Sequence, residues 1–181
     1  MDILQAESQV WERKRSLALQ TEGLESLCGM MNADVAHGGV VFGVDPNGVP
    51  VGVEPGNLDR AQQSMAQTIH AKFDPPIQCS MQIVDVGGKN FLTVEARRNR
   101  DVPYHEFDGR AWIREGTVTR QLSAAEKKSL QRMRDRDLHN GPWRCDRCGS
   151  MVGMLMSVEF GPSGARKTYG CSCGGEYWPA A

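Results

Sequence analysis

Four of the six cysteines fall near the C-terminus, in two close pairs. Cys145-Asp146-Arg147-Cys148-Gly149 sets two thiols on a tight turn, with glycine relieving the backbone. Cys171-Ser172-Cys173-Gly174-Gly175 repeats the device with a single residue between the thiols, a less specific spacing. Four thiolates complete the tetrahedral shell of Zn²⁺ and leave no open position, so the zinc would be structural. An iron–sulfur cluster uses the same ligands, and four free thiols are the remaining reading. Between the pairs the chain can form a hairpin, Met151 to Phe160 and Lys167 to Gly170, around Gly161-Pro162-Ser163-Gly164. That is the plan of a zinc ribbon. So small a module has too few apolar residues to fold unaided, which favours the metal. Arg144, Arg147, Arg166 and Lys167 make it basic.

The two other cysteines, Cys28 and Cys79, lie in apolar segments and read as small buried hydrophobes. His37, His70, His105 and His139 are scattered. No Walker A sequence occurs, so ATP hydrolysis has no support. Charged residues make up 24% of the 181 and hydrophobic residues 40%, an ordinary globular composition. The formal net charge is -1, so any surface for nucleic acid must be local. Arginines do cluster, at Arg97, Arg98 and Arg100, at Arg110, Arg114 and Arg120, and at Arg132, Arg134 and Arg136. For any one cluster, a solvated face is the plainer explanation. No apolar run reaches the length of a membrane span, and Met1 to Lys14 lacks the pattern of a signal peptide. The expectation is a cytoplasmic protein.

These residues need elements to position them. Thr21 is a candidate helix cap, with Leu24, Leu27, Cys28 and Met31 as the apolar face. Asn32 to Gly39 reads as a loop, and Val40 to Val44 as a buried strand. Asp45-Pro46-Asn47-Gly48 is a turn, and Val49 to Val53 returns to make a hairpin. Leu58, Ala61, Met65, Ile69 and Phe73 define a second helix, ended by Pro75-Pro76. Residues 77–86 and Phe91 to Ala96 flank Gly87-Gly88-Lys89 as a second hairpin. Ala111-Trp112-Ile113 is a further strand, and Ser123-Ala124-Ala125-Glu126 is a capping box opening a third helix. The layout is α+β, with a mixed, mostly antiparallel sheet and flanking helices. Residues 1–136 form the main domain and 137–181 the zinc-ribbon-like module.

Three segments together carry a recognisable pattern. They are Glu7-Ser8-Gln9-Val10-Trp11-Glu12-Arg13-Lys14; His37 to Gly48 with Val51-Gly52-Val53; and Pro103-Tyr104 with Ala111 to Thr117. In order and spacing they resemble the Schlafen AlbA-like family, over roughly residues 5–130. The departures are an insertion, Ala33 to His37, after Met30-Met31-Asn32, and Pro46 where the family often has a second acid.

The resemblance implies a divalent-metal-dependent endoribonuclease acting on structured RNA, tRNA or rRNA. It assigns Glu7, Glu12 and Asp45 as ligands of Mg²⁺ or Mn²⁺, and Lys14 as an electrostatic helper. Such carboxylates hold the metal through oxygen, the metal polarises the phosphate, and a lysine stabilises the transition-state charge. Taken singly, Glu7 and Glu12 are ordinary surface acids and Asp45 a turn residue. Arg13, Arg15, Arg97, Arg98, Arg100 and Arg114 are the candidates for contacting RNA. The Gly38-Gly39 loop is a weak candidate for approaching phosphate. Tyr104 and Trp112 could stack on bases, although core packing suits them better. Larger Schlafens pair two lobes, so one lobe implies a homodimer or a partner subunit. Two alternatives stand beside the nuclease: a non-catalytic nucleic-acid-binding or regulatory module, and an interaction protein docked through its zinc ribbon.

Overall fold

The structure, a computed structural model, describes residues 4–33, 35, 37–54, 56, 58–99, 102–140, 144–145, 154–161, 164–170 and 177–178, with side chains described up to residue 132. Met1–Leu130 and Gln131–Ala181 are two compact units. In chain order the first contains β1 (Trp11–Lys14), α1 (Gln20–Asn32), β2 (His37–Phe42), α2 (Leu58–Lys72), β3 (Phe73–Asp74), β4 (Cys79–Val86), β5 (Lys89–Arg97), β6 (Glu106–Phe107), β7 (Arg110–Glu115) and β8 (Val118–Gln121). There α3 (Ala124–Asn140) also begins. The second contains β9 (Arg144–Cys145), β10 (Met154–Gly161), β11 (Gly164–Gly170) and β12 (Tyr177–Trp178).

Two four-stranded sheets, β1-β2-β5-β4 and β3-β6-β7-β8, make up the first unit. Only the β1–β2 pair is parallel among the described strands, so the α+β, mostly antiparallel expectation holds. The main core joins Leu24, Leu27 and Met31 of α1, Met65 and Ile69 of α2, and Val40, Phe42, Leu92 and Val94 of the first sheet. Its opposite face carries a smaller cluster, Trp11, Val41, Val44 and Phe91. This is strand alternation at work: even-numbered β2 residues face α1 and odd-numbered ones face away.

Several sequence expectations need correction. Gly38 and Gly39 are not in a loop; they lie inside β2, both buried. A Cβ on Gly38 would collide with Met30, and one on Gly39 with the Trp11 ring. The glycines therefore admit large neighbours on both sheet faces rather than a phosphate. The segment Val49 to Val53 forms no regular strand. It makes only isolated bridges, Val44 with Pro50 and Val53 with Asn90. Pro50 has no N–H to donate, and the Val51 and Gly52 N–H groups both converge on the Gly43 carbonyl at 2.8 Å. Thr21 is not a cap. A 3-10 turn at Leu17–Leu19 leads into α1 and puts Thr21 in its first turn.

The capping box forms as expected. Ser123 N–H donates to Glu126 Oε2 (2.8 Å), and Glu126 N–H to Ser123 Oγ (3.3 Å). Cys28 is fully buried, and burial pushes its thiol up to about 12, so it is unreactive. In the second unit β10 and β11 form an antiparallel hairpin, while β12 pairs β9 with Tyr177 opposite Cys145. Cys148, Cys171 and Cys173 lie outside the described residues, as do Arg100 and the side chains of Arg134 and Arg136. Among the described residues, no helix is long and apolar enough to cross a membrane.

Candidate functional site

Alternation along β1 directs Glu12 and Lys14 to the α1 side and Trp11 and Arg13 to the other. Glu12 is 6% exposed. Lys14 Nζ lies 2.6 Å from its Oε1, and Arg114 Nη2, from β7, lies 2.6 Å from its Oε2. The Arg114 contact is an ion pair without good hydrogen-bond alignment. Arg114 is itself 1% exposed. It donates from Nε to the Ser8 carbonyl (2.9 Å), from Nη1 to Thr119 Oγ1 (3.1 Å), and from Nη2 to the Trp11 carbonyl (3.4 Å). The pair thus fastens one sheet to the other. Gly29 permits it: a Cβ there would stand 3.1 Å from the Arg114 nitrogen, so α1 can lie close on β7.

The group borders a cleft of about 260 Å³, lined among others by Glu12, Lys14, Glu22, Glu25, Thr117 and Thr119. Lys14 also stands 3.7 Å from Glu22. Burial, and then repulsion from Glu22, holds the Glu25 carboxyl above the usual carboxylate range.

The other acids implied as metal ligands do different work. Glu7 Oε1 accepts the Arg13 N–H at 3.3 Å. Asp45 Oδ1 accepts the Val49 N–H at 2.8 Å, closing its own turn. Neither lines the Glu12 cleft. Among the described residues, no three His, Cys, Asp or Glu side chains are grouped to hold a metal ion. With Glu12 already neutralised by two cations, this donor set does not fit Mg²⁺ or Mn²⁺ as it stands.

The arginines divide in the same way. Arg114 points inward, and Arg13 is buried, donating to the carbonyls of Gln5 and Leu4. Arg15 and Arg97 are exposed, and Arg98 is half-buried. Arg97 lines a second cleft, of about 630 Å³, with His37, Gln78, Ser80 and Glu95. Tyr104 sits on a loop beneath the Lys127 ammonium, 5.9 Å from the ring centre, and Trp112 packs against the main core.

Sequence reasoning missed Arg114 as the partner of Glu12, and Asn32 as a clamp. Asn32, 2% exposed at the end of α1, donates from Nδ2 to the carbonyls of His105 (2.8 Å) and Trp112 (2.7 Å). Its Oδ1 accepts the His105 N–H at 2.7 Å. The available signal was an amide at the end of an apolar helix face, a buried position that needs partners.

The family described as Schlafen, AlbA_2 matches residues 7–123. No curated protein matches the chain. Among solved structures, the DIP2311 protein from Corynebacterium diphtheriae is 17% identical with a TM-score of 0.49, over 69% of this chain. The match spans only 28% of that protein. The N-terminal domain of an ATP-dependent DNA helicase RecG-related protein from Nitrosomonas europaea is 20% identical with a TM-score of 0.47. That match covers 67% of this chain and 92% of the domain. The family match carries a nucleic-acid-related role in general terms and extends over more than half of the chain: this protein belongs to the Schlafen AlbA_2 family.

Proposed function

We propose that the chain is an RNA-binding protein in which the Glu12 cleft serves architecture rather than cutting. The observation that carries this reading is the state of Glu12. Both of its oxygens are held by cations at 2.6 Å, one of them on the buried Arg114. A carboxylate bound in this way is a poor metal ligand, because a cation would have to displace charges already in place. Glu7 Oε1 and Asp45 Oδ1 each accept one backbone N–H.

A second reading, the metal-dependent endoribonuclease acting on structured RNA such as tRNA or rRNA, is favoured by one observation. Glu12 and Lys14 stand together at a cleft that also holds Glu22 and Glu25. It requires Lys14 and Arg114 to release Glu12 when RNA binds.

One experiment separates the two. Mixed tRNA is incubated with the protein in Mg²⁺, in Mn²⁺ or in EDTA, and is run both natively and denatured. The expected result is retarded RNA at protein concentrations on the order of micromolar, with the RNA left intact. Fragments formed only with metal, and lost in Glu12→Ala, would establish the nuclease instead. No retardation at low salt, together with no fragments with metal, would remove both readings.

For the second unit we propose a structural Zn²⁺ on Cys145, Cys148, Cys171 and Cys173. Support comes from the β9–β12 pairing, which sets Cys145 opposite Tyr177, four residues beyond Cys173 in the chain. Metal analysis of the purified protein should find about one zinc per chain; an iron signal, or none, would end this assignment.

A further inference from the structure

We propose that the cleft at the end of the first sheet is a ribonucleotide subsite, distinct from the Glu12 cleft. The inference rests on the RNA-binding reading and deepens it. Strand register gathers its residues on one face. His37 on β2 is opposite Arg97 on β5, Gly39 is opposite Glu95, and Glu95 is in turn opposite Ser80 on β4. A Cβ on Gly39 would touch both the Trp11 ring and Glu95, so this is the face away from α1. Towards the middle of the sheet that face is packed by Trp11, Val41 and Phe91. At the end where β2 starts and β5 finishes, polar groups join Cys79 and Ala96 in bordering the cleft of about 630 Å³. That volume lies within the range of small-ligand sites, roughly 300–1,000 Å³.

The chemistry of the lining selects the ligand. Arg97, exposed at the strand end, offers a forked cation to a phosphate. The His37 ring beside it adds a flat surface for a base. Glu95, two residues back on the same face, is about 7 Å away along the strand. A carboxylate there repels phosphate but accepts a hydrogen bond from a hydroxyl. It therefore suits the sugar, and a 2′-hydroxyl is the group that separates RNA from DNA. Ser80 and Gln78 supply further donors and acceptors. An unpaired strand satisfies this arrangement, since a base splayed into the cleft leaves its phosphate and sugar at the rim. The occupant is a single-stranded RNA segment.

The test measures binding of a labelled oligouridylate, and of the matching oligodeoxyuridylate, to the full chain by fluorescence anisotropy across a salt series. The wild type should bind the RNA more tightly than the DNA. Arg97→Ala should weaken both by roughly tenfold and lower the salt slope by about 1. Glu95→Ala should instead remove the preference for RNA, weakening RNA binding relative to DNA binding. His37→Ala gives a third readout, and a thermal melt of each variant guards against misfolding. Wild-type binding with unchanged behaviour in Arg97→Ala and Glu95→Ala would overturn the subsite while leaving the RNA reading intact. Equal binding of RNA and DNA by the wild type would overturn the sugar assignment. Failure of the wild type to bind either strand, together with no retardation of tRNA, would remove the RNA-binding reading itself.

Discussion

Arg114→Ala is expected to lower the unfolding free energy by about 3–5 kcal/mol, because it strips one partner from a buried ion pair. Arg114 is 1% exposed and Glu12 6%, so neither charge is rescued by water when the other leaves. Lys14 would still compensate one oxygen of Glu12. The other oxygen, and the carbonyls of Ser8 and Trp11, would lose their cation. Volume loss adds to this, and Arg114→Met separates the contributions by filling the space without charge. Urea denaturation followed by circular dichroism should place Arg114→Met well below the wild type, and Arg114→Lys between the two, since an ammonium restores charge but not the fork. A methionine variant as stable as the wild type would show that packing, not the ion pair, holds the sheets together. Comparing Arg114→Ala, Glu12→Ala and the double variant would then isolate the coupling between the two residues.

This pair also shows where sequence reading runs out. Local patterns were legible. The steps of three and four from Leu58 to Ile69 form one face of α2, with Leu58, Met65 and Ile69 buried. The Gly87-Gly88 turn joins β4 to β5, and the Ser123–Glu126 box caps α3. Each of these depends on neighbours within a few residues. Arg114 looked like one of a basic cluster with Arg110 and Arg120. In the fold Arg110 is exposed, Arg120 is tied to Glu115 and Glu126, and Arg114 turns inward to a carboxylate on the other sheet. Nothing in local spacing distinguishes these three fates. The two glycines of β2 failed for a related reason: pattern alone marks Gly-Gly as a loop, and only the Trp11 and Met30 side chains explain a strand there. The motif frame located Glu7, Glu12, Lys14 and Asp45 in the chain. The state of each depends on partners, such as Arg114 for Glu12, that no motif encodes.

Asn32→Leu should cost about 2–4 kcal/mol, nearly as much as losing Arg114, although it changes no charge. Leucine matches the shape of asparagine but leaves the His105 N–H and the Trp112 carbonyl without the amide that served them. The His105 carbonyl keeps only the weaker Cys28 thiol, at 3.4 Å. Asn32→Asp is the sharper test, because it keeps the oxygen and removes the NH2 group. An ionised aspartate would point at two carbonyl oxygens, so the folded state favours its protonated form and raises its pKa above the unfolded value of about 3.9. A raised acid contributes its stability below the unfolded pKa and loses it as pH rises. Relative to wild type, the aspartate variant should therefore be least impaired near pH 4 and most impaired at neutral pH, measured by urea midpoints across that range. Asn32→Leu should show no such trend. If the two variants track each other with pH, the amide is not donating to those carbonyls, and the end of α1 is held to β7 by apolar packing alone.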